Sequence, residues 1–103
     1  MKHVLLSADG PIRVYSVPDA VAADLLGWAE RFYEWMQHAP EAATLRQVFP
    51  SGDIGFCFNE EDFVHYLSSV IFPDQPVSLV EELEADELSD LPEPYRSYPY
   101  YYF

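Results

Sequence analysis

Residues 18–38 read Pro-Asp-Ala-Val-Ala-Ala-Asp-Leu-Leu-Gly-Trp-Ala-Glu-Arg-Phe-Tyr-Glu-Trp-Met-Gln-His, and the periodicity of this stretch decides what kind of domain the chain can build. Val21, Leu25, Trp28, Ala29, Phe32, Trp35 and Met36 recur at spacings of three and four, the repeat of one face of an α-helix. Asp24, Glu30, Arg31, Glu34 and Gln37 fall mainly elsewhere. Ser16 or Asp19 can cap the start, Pro18 suits a first turn, and Asp19 sits at the positive end of the dipole. One helix over 18–38 is predicted, ended by Pro40. Burial of its stripe contributes roughly 1.5 to 3 kcal/mol per large side chain. Leu26 and Tyr33 lie off the stripe, so the helix is either covered on two sides or offers a second surface.

Upstream, Val4–Ala8 and Ile12–Val17 are short aliphatic or β-branched runs separated by Asp9-Gly10-Pro11, a turn cluster. They predict a hairpin. Downstream, Glu41–Arg46 can add a helical turn or two, and Phe49-Pro50-Ser51-Gly52-Asp53 is turn chemistry leading into a third strand at Ile54–Phe58. In that strand Cys57, between Phe56 and Phe58, is expected to be buried. Asn59 stands where an N-cap belongs, with Glu60, Glu61 and Asp62 in the first turn of a second helix that Pro73 stops. Val77–Val80 predicts a fourth strand. The fold class is therefore α+β in the order β-β-α-β-α-β, a small mainly antiparallel sheet packed with one long and one shorter helix. Residues 1–103 form one domain, with an acidic segment at 81–93 and an aromatic C-terminal segment at 94–103.

Charge is distributed unevenly along this frame. Between Gln47 and Tyr95 stand twelve acidic residues and no lysine or arginine, and the formal net charge of the chain is −13. Half of the residues are apolar and 17% aromatic, which separates the chain from disordered acidic tails and gives it material for a core. Such a surface repels nucleic acid and anionic membrane, attracts basic partners or divalent cations, and can imitate a phosphate track. The single Cys57 excludes an internal disulfide, and Met1–Ser7 lacks the hydrophobic region of a signal peptide or spanning segment. A cytoplasmic location is expected.

Four constellations carry the functional argument. The acids Glu60, Glu61, Asp62, Glu81, Glu82, Glu84, Asp86 and Glu87 are either a solvated surface that keeps the protein soluble or a docking face for a basic protein or a nucleic-acid-binding protein. Glu61 and His65 share a helical face at ligand spacing, but a third ligand is missing, so no metal or cofactor is predicted. Cys57 with His3, His38 or His65 makes no convincing nucleophile and base, because a negative surround raises a thiol's pKa. No catalytic residue is assigned. Tyr98, Tyr100, Tyr101, Tyr102 and Phe103 either strap the domain, mediate a homo-oligomer, or dock on a larger protein.

Leu-Leu-Ser-Ala-Asp-Gly-Pro at 5–11, Val-Pro-Asp-Ala-Val-Ala at 17–22, Asn-Glu-Glu-Asp-Phe at 59–63 and Phe-Pro-Asp-Gln-Pro at 72–76 together resemble small uncharacterised acidic proteins associated with mobile elements of gut Gram-positive bacteria. The resemblance implies a role in transfer, maintenance or counter-defence of such an element, and no residue role comes with it. The expected function is a non-catalytic acidic protein-interaction module for a basic surface, with a nucleic-acid-mimicking inhibitor or regulator as its sharpest form. The alternatives are a small carboxylate- or metal-dependent hydrolase and an accessory subunit docking through its aromatic segment.

Overall fold

The computed structural model describes residues 1–85 and 87–103. Its centre is the predicted hairpin: β1 (Lys2–Ser7) pairs antiparallel with β2 (Arg13–Val17), so that Lys2 lies opposite Val17 and Leu5 opposite Val14. Val4, Leu5, Leu6 and Ser7 are all fully buried, which requires cover on both faces of β1. Val4, Leu6, Tyr15 and Val17 meet the helices, while Leu5, Ile12 and Val14 meet Leu83 and Leu91 on the opposite side. The acidic segment therefore crosses the second face of the sheet, pinned by its leucines with its described acids turned to solvent.

The four-stranded sheet places Ser78–Glu82 beside β2 at one edge and Tyr100–Tyr102 beside β1 at the other. Here β3 (Arg46–Val48) and β4 (Ile54–Phe56) are reserved for a separate two-stranded ribbon, β5 is Ser78–Glu82, and β6 is Tyr100–Tyr102. β5 joins β2 antiparallel, and β6 joins β1 parallel. The sheet is mixed, and its parallel member comes from the aromatic segment, where no strand is predicted. The predicted third strand exists but pairs with β3 and not with the sheet: it is three residues long, and Gly52, at φ 90°, turns the chain straight back on itself. Cys57 follows the ribbon and is exposed, contrary to expectation. Leaving the sheet removes the second face that would have covered the thiol.

The long helix is also interrupted. α1 (Asp19–Ala23) ends at Asp24, and α2 (Leu25–His38) begins anew, with the Asp24 carboxylate accepting from the Gly27 amide at 3.1 Å. A Cβ at residue 27 would collide with that carboxylate, so the glycine permits the cap. The break leaves the stripe intact: Val21, Leu25, Ala29, Phe32 and Met36 are buried. α3 (Glu60–Tyr66) starts with the expected Asn59 cap, completed into a capping box by Asp62, whose side chain accepts from the Asn59 amide at 2.9 Å. It continues as a wider π turn over Leu67–Ile71 rather than as α-helix to Phe72.

Phe32 is the hub of the main core. Its ring meets Trp35, Phe58, Phe63, Tyr66 and Phe103 at centroid separations of 5.5 to 6.1 Å. Phe103 thus carries the aromatic segment into the heart of the domain.

Candidate partner-binding face

Neighbouring residues on a strand point to opposite faces, and this divides the acids of β5. Glu82, opposite Arg13 in register, accepts from Arg13 Nε at 2.9 Å on the helix side of the sheet. Glu81 turns to the other side and accepts from the Tyr95 hydroxyl at 2.6 Å. Arg13 then extends Nη1 to the start of α3, at 2.8 Å from Glu60 Oε1 and 3.3 Å from Glu61 Oε1. Acids far apart in sequence, 60–61 and 82, are drawn to one guanidinium. Its hydrogen bond to Glu82 outweighs the opposing effect of burial and, with smaller help from Tyr15 and the charge of Glu60, holds Arg13 protonated well above the ordinary arginine range.

The members of this knot differ in exposure. The Glu60 side chain is only 7% exposed, whereas those of Glu61 and Glu82 are 67% and 52% exposed. Three carboxylates about one guanidinium leave a formal surplus of two negative charges. Beside the knot, Asp9, Gly10 and Pro11 of the β1–β2 turn face Phe58, Asn59 and Glu61 across a polar cleft of about 430 Å³. Exposed Glu84 and Glu87 follow β5. Asp86, predicted among the partner-binding acids, lies outside the described residues.

The predicted site residues thus separate into groups. Glu61, Glu81, Glu82, Glu84 and Glu87 are exposed. Glu60 is buried in its ion pair, and Asp62 is engaged in the helix cap. The aromatic set is built into the body. Tyr100 Oη lies 2.8 Å from Ser7 Oγ, the Tyr101 hydroxyl donates to that of Tyr33 at 3.2 Å, and Tyr98 stands edge-on to His3. Tyr102 is 57% exposed and donates to Asp9 at 3.3 Å. These contacts tie the segment to the body of the protein and leave Tyr102 at the surface.

Two features escaped sequence reasoning. Arg13 organises the acids, and its signal was available: a lone cation on β2, opposite a half of the chain that has none. The second is apolar exposure at Leu79 (56%) and Val80 (49%) in β5, and at Val48 (70%) and Ile54 (59%) on the β3–β4 ribbon. Val48 and Ile54 lie directly opposite each other. Ile54–Phe58 and Val77–Val80 look like core strands in sequence, and only the structure shows that these side chains lack cover.

The histidines have separate neighbours: His3 meets Tyr98, His38 Nε2 lies 3.7 Å from Glu34, and His65 Nδ1 lies 3.4 Å from Ser69 Oγ. None of these contacts includes Cys57. Among the described residues no three His, Cys, Asp or Glu side chains group as metal ligands, and no helix is long and apolar enough to cross a membrane. No protein-family model, curated protein or solved structure matches the chain.

Proposed function

We propose that this protein is a non-catalytic interaction module that presents an acidic face to a basic surface of another protein, with nucleic-acid-binding proteins the partner class of best fit. The observation that carries the reading is the Arg13 knot. Glu61 and Glu82 converge there with more negative charge than the guanidinium neutralises, and exposed Glu81, Glu84 and Glu87, at the end of β5 and in the segment that follows it, add to the field. Exposed charges of one sign steer encounter more than they add packing energy, so the association rate carries most of the effect. A duplex-mimicking form of the module would rely on these exposed carboxylates, since Glu60 and Asp62 are engaged internally.

The test is affinity capture from the native cell, followed by binding kinetics with the captured basic protein. Association should slow as salt rises, and charge reversal at Glu81, Glu82, Glu84 and Glu87 should slow it further. Equal binding at low and high salt together with indifference to the reversals would sink the reading.

A further inference from the structure

We propose that the outer edge of β5 receives an extended basic segment of the partner by strand addition. The inference rests on the acidic-module reading and specifies where and how it engages. β5 is hydrogen-bonded on one side, to β2, and is the terminal strand of the sheet. All five of its residues are exposed. A terminal strand presents a row of unpaired backbone N–H and C=O groups, a template for another chain unless something blunts it. Proteins usually blunt such edges with short strands, charged side chains, lysine above all, proline or a bulge.

β5 uses a bulge, where the register shifts between Val14 and Tyr15, and charge of one sign at Glu81 and Glu82. Charge of a single sign is a selective guard. It repels a second β5 or any acidic strand, and it favours a strand bearing lysine or arginine. Leu79 and Val80, 56% and 49% exposed, offer that strand apolar contact before the acids begin. The nearby cation, Arg13, is already held by Glu60, Glu61 and Glu82, which leaves the surplus charge for an incoming base. Backbone pairing would supply the affinity, and Leu79, Val80 and the flanking acids would supply the choice of sequence. The occupant is thus an extended segment in which an apolar pair, opposite Leu79 and Val80, adjoins a basic pair opposite Glu81 and Glu82.

A short synthetic peptide carrying a lysine pair next to a valine pair is the probe, compared with the same peptide N-methylated at alternate backbone positions, a glutamate-valine peptide, and oligolysine. The lysine-valine peptide should bind, shift the backbone amide resonances of Ser78–Glu82, and protect those amides from hydrogen exchange. N-methylation should weaken it by about tenfold or more, a loss of roughly 1.4 kcal/mol. Val80→Lys should weaken it similarly and Val80→Glu less, because the added carboxylate offsets the lost apolar contact, both variants sitting at an exposed position that leaves folding intact by circular dichroism. If the N-methylated peptide and oligolysine bind as well as the parent, and only Glu81→Lys with Glu82→Lys abolishes binding, strand addition is overturned and the acidic module survives. If no basic probe binds even at low salt, both fall.

Discussion

The two terminal strands of the sheet, β6 and β5, face the same physical problem with opposite chemistry. β6 is three tyrosines long, lies parallel to β1, and is tied down by hydroxyl contacts to Ser7, Tyr33 and Asp9. Phe103, the next residue, donates its amide to Ser7 at 2.8 Å and packs its ring 4.9 Å from that of Phe63. β5 is five residues long, wholly exposed, and guarded by glutamates. Apolar area placed inside a core stabilises the fold, whereas apolar area left beside uncompensated charge is available to a partner. One edge closes the domain and the other addresses the outside.

The sharpest way to break this comparison is to make the same kind of change at each edge. Phe103→Ala removes a ring from the Phe32 hub and should cost about 3 kcal/mol, the low end for a phenylalanine truncation because Phe103 is only partly buried. Deletion of 95–103 should prevent stable folding altogether. Leu79→Ser and Val80→Ser at the opposite edge should each shift stability by no more than about 0.5 kcal/mol. Urea denaturation of the three substitutions decides it. Equal losses at both edges would mean that β5 is as structural as β6.

Arg13 joins the acidic edge to the body, and its removal should have the next largest effect. Arg13→Ala strands Glu60, whose side chain is nearly buried, and should cost about 3 kcal/mol, the lower bound for breaking a buried pair since Arg13 itself is 25% exposed. Adding Glu60→Gln to Arg13→Ala should recover part of that loss by removing the stranded charge. A double-mutant cycle by chemical denaturation measures the coupling. No recovery would place the energy in Glu61 and Glu82 and make the knot a surface feature.

Much of the closed part of the fold was legible in the sequence, and the open part was not. Asp9-Gly10-Pro11 marked the hairpin, the stripe from Val21 to Met36 marked the helical layer, and Asn59 with Asp62 marked the start of α3. These signals are local: turn chemistry, a 3.6-residue repeat and a cap. The break at Asp24 left a weaker trace, because an aspartate with a glycine three residues later also fits an uninterrupted helix. β6 left none. Three consecutive tyrosines have no alternation, and a parallel pairing with β1 across the whole chain is a tertiary event. Ile54–Phe56 showed its strand character but not its partner, because Arg46–Val48, across the Gly52 turn, follows a stretch that reads as a helical turn and carries no strand alternation. The acids could be counted and Arg13 stood out as a lone cation, but which acids gather at it is a tertiary event.

Alkaline pH separates the aromatic side from the acidic one. Burial raises the pKa of Tyr33, helped by its hydroxyl contact with Tyr101, and burial likewise raises those of Tyr15 and Tyr66. Each proton is held more tightly in the folded chain than in the unfolded one. Their contribution is therefore fully present below the ordinary tyrosine value of 10.0 and is lost as pH rises from there toward the higher folded values. Stability should fall progressively above about pH 10, with tyrosinate absorbance appearing together with loss of tertiary structure. Tyr33→Phe should reduce that dependence. Early, non-cooperative titration of all eight tyrosines would show the aromatic side to be open.

The smallest stability effect belongs to the exposed acids, and its smallness is what makes it diagnostic. Glu84 and Glu87 are exposed on a chain with a formal charge of −13, so each mainly adds repulsion. Glu84→Gln with Glu87→Gln should change folding stability by no more than about 0.5 kcal/mol, in the stabilising direction at low salt. The gain should vanish at physiological ionic strength, where screening acts within about 8 Å. The same pair should slow association with a basic partner at low salt and leave dissociation nearly unchanged, because steering acts before contact. Stopped-flow association and thermal unfolding on one set of samples separate the two effects. A large loss of stability would make these glutamates part of the closed domain, and a change confined to dissociation would place them inside the bound interface instead of in the field that leads to it.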